Sequence, residues 1–155
     1  MASTVIVEGL LIVAGIIAAS ILAGAVITKI GAFDSTLTMS TKTQNEILLT
    51  KIKIIYATNS TSTQSDVWMK NIGSSAVTSP ESMDVFFGKI GQVQRIPYNA
   101  ASNPTWNFAQ SVDTWDEQET VEIEITQDTM FPSGTYSVTV IAPNGVEDEH
   151  VFAIP

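Results

Sequence analysis

Residues Val5–Phe33 read VIVEGLLIVAGIIAASILAGAVITKIGAF. No charge falls between Glu8 and Lys29, and nearly every position in Gly9–Thr28 is apolar or small. That is about 20 residues, the length an α-helix needs to cross the hydrocarbon core of a bilayer. The chain behind it is polar, rich in Ser and Thr, and strand-like. The expected fold is therefore an N-terminal transmembrane α-helix followed by an all-β domain.

The front of the stretch argues for a retained helix. A secretory signal would begin with Lys or Arg, carry a shorter apolar core and end at a small-x-small cleavage site. Here the run is longer, no basic side chain precedes it, and Glu8 sits near its start. A carboxylate at the edge of an apolar helix is costly. It can lie at headgroup level, where the helix N-terminus favours an anion, or it can meet the N-terminal amine of a neighbouring subunit. Small residues recur at helical spacing in two stripes: Gly15, Ala19 and Ala23, then Ser20, Gly24 and Thr28. Such stripes let helices approach closely, so the segment carries a signal for self-association. Lys29 at the far end would favour the cytoplasm by the positive-inside rule. The Ser/Thr-rich domain and the sequon Asn59-Ser60-Thr61, a candidate glycosylation acceptor, favour placing the C-terminal domain outside.

Downstream, residues 34–50 carry two patterns. Thr36, Thr38, Thr41 and Thr43 suit a strand. Phe33, Leu37, Ser40, Gln44 and Leu48 fall at helical spacing, and no Pro or Gly follows Gly31 before residue 50. We expect a helical stalk or linker. Strands then begin. In KIKIIYAT (51–58), Ile52, Ile54 and Tyr56 are expected on one face; in DVWMKNI (66–72), Val67 and Met69 oppose Trp68 and Lys70. Residues 83–87 and 92–96 read as short strands. ETVEIEI (119–125) directs Val121, Ile123 and Ile125 inward, with Glu122 and Glu124 outward, and GTYSVTVI (134–141) directs Tyr136, Val138 and Val140 inward. Pro143-Asn144-Gly145 is a hairpin turn, and 146–154 is the closing strand. About seven short strands at this spacing predict an antiparallel β-sandwich, and the Gly-Thr-Tyr-strand-hairpin-strand ending resembles immunoglobulin-like domains. The expected organisation is 1–33 transmembrane helix, 34–50 stalk, and 51–155 sandwich.

Composition narrows the chemistry. Sixteen acidic against seven basic residues leave a net charge of −9. That argues against nucleic acid, which needs clustered Lys and Arg, and against an anionic lipid surface as the main partner. There are no cysteines, which removes disulfides, thiolate nucleophiles and cysteine-ligated metals. The lone His150 and the acidic loop Asp113, Asp116, Glu117 and Glu119 match no metal-ligand spacing. No serine has a plausible histidine partner set. The sequence therefore predicts no enzyme, no cofactor and no metal. Three tryptophans remain. Trp106 and Trp115 lie in irregular stretches; if exposed they would form a partner-binding patch, and otherwise they belong to the core.

Taken together, the N-terminal helix resembles those of archaeal type IV pilin-like proteins. The segments KIKIIYA, VWMKNIGSSAVTSPESMDVFFG, ETVEIEI and SGTYSVTVIAPNGVEDEHVF, in that order, resemble the FlaG/FlaF group of archaellum accessory proteins. The resemblance implies a single-pass protein of the archaeal cytoplasmic membrane, with its sandwich in the extracytoplasmic space. It also implies a stator role, tying the motor to a FlaF-like protein and to S-layer protein. The alternative is an archaellin or pilin-like filament subunit, which would normally show a basic leader and a processing site before the helix.

Overall fold

The computed structural model describes residues 2–155; Met1, the first residue of the expected 1–33 segment, lies outside them. The chain divides into two compact units, Met1–Lys42 and Thr43–Pro155. The helix α1 covers Ala2–Leu49, so the ambiguous stretch after Asp34 is helical. The threonines that suggested a strand are accommodated locally. Thr36 Oγ1 donates to the Ala32 carbonyl and Thr38 Oγ1 to that of Asp34, both at 2.9 Å. The hydroxyls use acceptors of the helix itself, which offsets the β-preference of a branched side chain.

Ten strands follow: β1 Ile52–Asn59, β2 Gln64–Asn71, β3 Val77–Thr78, β4 Asp84–Lys89, β5 Gln94–Ile96, β6 Thr105–Phe108, β7 Thr114–Trp115, β8 Thr120–Thr126, β9 Gly134–Ile141 and β10 Glu147–Ile154. The excess over the expected seven comes from the four-residue β6 and the two-residue pair β3 and β7, too short to leave a periodic signal. Two four-stranded antiparallel sheets form, in the orders β1-β2-β8-β6 and β10-β9-β4-β5. With the two-residue strands β3 and β7 left out of the lettering, these orders match the A-B-E-D and G-F-C-C′ sheets of an immunoglobulin-type sandwich.

The alternation read from the sequence supplies the core. Val67, Met69, Val121, Ile123 and Ile125 from the first sheet join Val85, Phe87, Val138 and Val140 from the second in one buried cluster. Tyr136 donates its hydroxyl to the Pro132 carbonyl at 2.9 Å, four residues upstream, as in a tyrosine corner. Burial pushes its phenol up from the ordinary value. Asn144-Gly145 makes the β9–β10 turn, with Gly145 at φ 86°, a conformation that glycine adopts without a Cβ penalty.

One strand departs from simple alternation. β1 carries a register shift between Ile54 and Tyr56, so Ile55 is an extra residue and a β-bulge forms. Tyr56, expected on the inner face, is turned outward and is 56% exposed, and Ala57 takes the buried place.

Candidate interaction surfaces

In the first unit, α1 leaves its apolar residues uncovered. Ser3–Leu49 contains a window of mean hydropathy 2.8 with no buried residue, long and apolar enough to cross a membrane. Polar groups inside the apolar run are satisfied: Ser20 Oγ donates to the Ile16 carbonyl at 2.8 Å and Thr28 Oγ1 to that of Gly24 at 2.9 Å. This is the arrangement a medium without water demands. Glu8 and both small-residue stripes are exposed along this helix, and nothing packs over Gly15 or Gly24.

In the second unit, the end of α1 and Thr50 behind it join the sandwich through backbone and side-chain hydrogen bonds. Ser74 N–H donates to the Leu49 carbonyl at 2.8 Å, and Asn144 Nδ2 donates to Thr50 Oγ1 at 2.7 Å. Gly73 lies so close to the Leu49 carbonyl and the Lys51 amide that a Cβ there would clash with backbone. The two sheets meet along β1 and β10. Asp148 accepts from Lys53 Nζ and from the Ile54 amide, each at 2.8 Å. Its carboxylate thus satisfies an edge amide beside the bulge, where strand pairing cannot.

Of the two readings of Trp106 and Trp115, a partner patch or the core, the structure gives the core. Trp106 and Trp115 are fully buried, because Trp106 lies in β6 paired with β8 and Trp115 in β7 paired with β3. Trp115 Nε1 donates to the Glu119 carbonyl at 3.0 Å, and Trp106 packs against Tyr98 with ring centroids 4.6 Å apart. Both are core residues. The tryptophan that reaches the surface is Trp68, half-buried on the outer face of the first sheet and tilted against Tyr56 at 5.5 Å. The strand alternation already separated Trp68 from Val67 and Met69; the bulge that brings Tyr56 beside it had no sequence signal.

Around this aromatic pair the outer face is acidic. Register places Tyr56, Trp68 and Glu122 in one row across the strands, and Thr58, Asp66, Glu124 and Asn107 in the next. Asp66 lies directly opposite Glu124 and is only 9% exposed; its Oδ1 accepts from Gln64 Nε2 at 2.9 Å. Among the described residues neither Glu122 nor Glu124 has an ion-pair partner. A shallow groove of about 240 Å³ lies beside Trp68, walled by Gln110, Ser111, Val112, Glu119 and Glu122. On the opposite outer face Arg95 pairs with Asp84, and Ser137 Oγ donates to Glu149 Oε1.

Asn59 ends β1, half-buried and opposite Ser65, at the mouth of the β1–β2 hairpin. His150 lies in β10, half-buried. The described residues hold no group of three or more His, Asp or Glu side chains suited to a metal. Glu119 Oε2 instead accepts from the Asp116 amide within the acidic loop.

A single long apolar helix followed by an antiparallel two-sheet sandwich defines, among the described residues, a helix-plus-sandwich protein. Residues 2–152 match the archaeal-type flagellin family, and the chain belongs to it. The structure is similar to the archaellum periplasmic stator protein FlaG from Sulfolobus acidocaldarius. The two are 28% identical with a TM-score of 0.64, over 67% of this chain and 100% of that one. It is likewise similar to a chain in the stator complex of FlaF and FlaG from the same organism, 28% identical with a TM-score of 0.62, over 67% of this chain and 90% of that one. The archaeal flagellin FlaB1 from Methanocaldococcus jannaschii shares the fold alone, at 9% identity and a TM-score of 0.52, over 68% of this chain and 90% of that one. No curated protein matches the chain.

Proposed function

We propose that this chain is a FlaG-like structural component of the archaellum, acting through assembly and not catalysis. The observation that carries the reading is the similarity to the stator protein FlaG along that chain's entire length. In this reading residues 1–33 anchor the protein in the archaeal cytoplasmic membrane, 34–50 form a stalk, and the sandwich stands outside. It meets a FlaF-like protein, as FlaG does in the stator complex, and S-layer protein. Glu8 sits at headgroup level or pairs with a neighbouring subunit's amine, and the Gly15, Ala19, Ala23 and Ser20, Gly24, Thr28 stripes pack against other helices. Asn59 is the glycan acceptor if the domain is external; Lys29 opposes that orientation. A clean deletion strain is expected to make filament subunits yet fail to swim. Normal swimming would overturn the stator reading.

The family match itself supports a second reading, a filament subunit. It predicts abundant protein in sheared filaments and a processed N-terminus. Crosslinking in intact cells separates the two: adducts to a FlaF-like or S-layer protein favour the stator, and adducts to filament subunits favour the archaellin.

A further inference from the structure

We propose that the outer face of the β1-β2-β8-β6 sheet, centred on Trp68, Tyr56, Glu122 and Glu124, docks a lysine- or arginine-bearing segment of another protein. The inference holds for a stator protein and for a filament subunit alike, because it rests on the face and not on the machine.

The face combines two recognition elements. The first is the exposed aromatic pair. A half-covered Trp68 beside a 56% exposed Tyr56 is the residue chemistry that dominates protein interfaces, and an aromatic face attracts a guanidinium or ammonium placed over it. The second is negative charge left without a cation. Glu122 lies directly across the strand from Trp68, and Asp66 lies across from Glu124. Like charges in directly opposed positions destabilise a sheet. This face keeps such a pair, whereas the outer Asp84 of the second sheet is paired with Arg95. A cation entering the groove beside Trp68 would meet Glu122 and the Glu119 side of the wall.

Charge decides among occupants. A second copy is a poor fit. The chain carries a net charge of −9, Lys53 and Arg95 are held in ion pairs, and Lys89 donates to the Ser133 carbonyl. Lys70 and Lys53 lie together at one end of the same face, opposite each other in register, so they direct a basic segment toward the Trp68, Glu122 and Glu124 end. An acidic partner or an anionic lipid headgroup would be repelled from that end.

The test uses the full chain in neutral detergent and two synthetic ten-residue peptides, one alternating Arg and Thr, the other Glu and Thr. Isothermal titration is expected to show binding of the arginine peptide alone. Trp68→Ala and the pair Glu122→Gln/Glu124→Gln should each weaken it about tenfold or more, whereas Glu147→Gln on the other sheet should leave it unchanged. The glutamine pair keeps the folded surface if Trp68→Ala disturbs it. Equal binding by wild type and both variants, equal loss in Glu147→Gln, or preference for the glutamate peptide would overturn the proposal. In cells, a photocrosslinker at position 68 should capture a peptide of another protein containing Lys or Arg. Capture of a second copy or of lipid would overturn it.

Discussion

Leu10 in the helix is 70% exposed, whereas Ile123 in β8 is wholly buried. The two side chains have the same hydrophobicity and opposite surroundings. In the sandwich, inward alternation gives every apolar face a partner sheet. In the helix, apolar residues occur all round, and residues 2–42 hold no second element to cover them. A helix apolar all round needs a buried or lipid environment, so the first unit is built for a different solvent from the second. The positions of the hydroxyls agree with this difference. Ser20 and Thr28 bond within their own helix, whereas Tyr136 and Asn144 bond across loops.

The contrast can be broken most strongly in the helix. Arginine at both Ile17 and Ile21 should cost about 5–7 kcal/mol of membrane insertion, at roughly 2.5–3.5 kcal/mol each, and move the protein from the membrane fraction; unchanged fractionation would contradict a spanning helix. In the sandwich, Trp115→Ala should remove about 3–5 kcal/mol, read as a lower urea midpoint by circular dichroism. Next comes Gly73→Ala. Its Cβ meets the Leu49 and Lys51 backbone, and a loss of about 1–3 kcal/mol is expected. Asp148→Ala leaves the Ile54 amide without its acceptor and frees a Lys53 that is half exposed. About 1–2 kcal/mol is expected, mostly from the amide. The smallest change sharpens the comparison within the sandwich. Trp68→Ala should cost about 1 kcal/mol or less, well under Trp115→Ala. Equal losses would place both tryptophans in the core.

Much of the fold was legible because its signals are local. The uncharged run after Glu8, the alternation of Val121, Ile123 and Ile125, and the Asn144-Gly145 turn each depend on neighbours within a few residues. Segments that owe their state to distant contacts were not legible. β6 forms because Thr105–Phe108 pairs with β8, and β7 because Thr114 and Trp115 meet β3. The tryptophans show the same division. Trp106 and Trp115 stood open between core and surface because their flanking residues are irregular, yet what buries a side chain is the structure above it, not the regularity of its own strand.

By itself the sequence determined a membrane-length apolar helix, an antiparallel sandwich, the inward face of its clearest strands and an acidic, cysteine-free surface. These follow from periodicity, turn chemistry and composition, which act along the chain. Only the tertiary structure decided that the bulge at Ile55 turns Tyr56 toward Trp68, and that Asp148 joins β1 to β10. It also decided that Asp66 opposes Glu124 on one outer face while Asp84 pairs with Arg95 on the other. Each of these depends on which strands become neighbours and in what register, and a one-residue shift of register exchanges the faces of a strand.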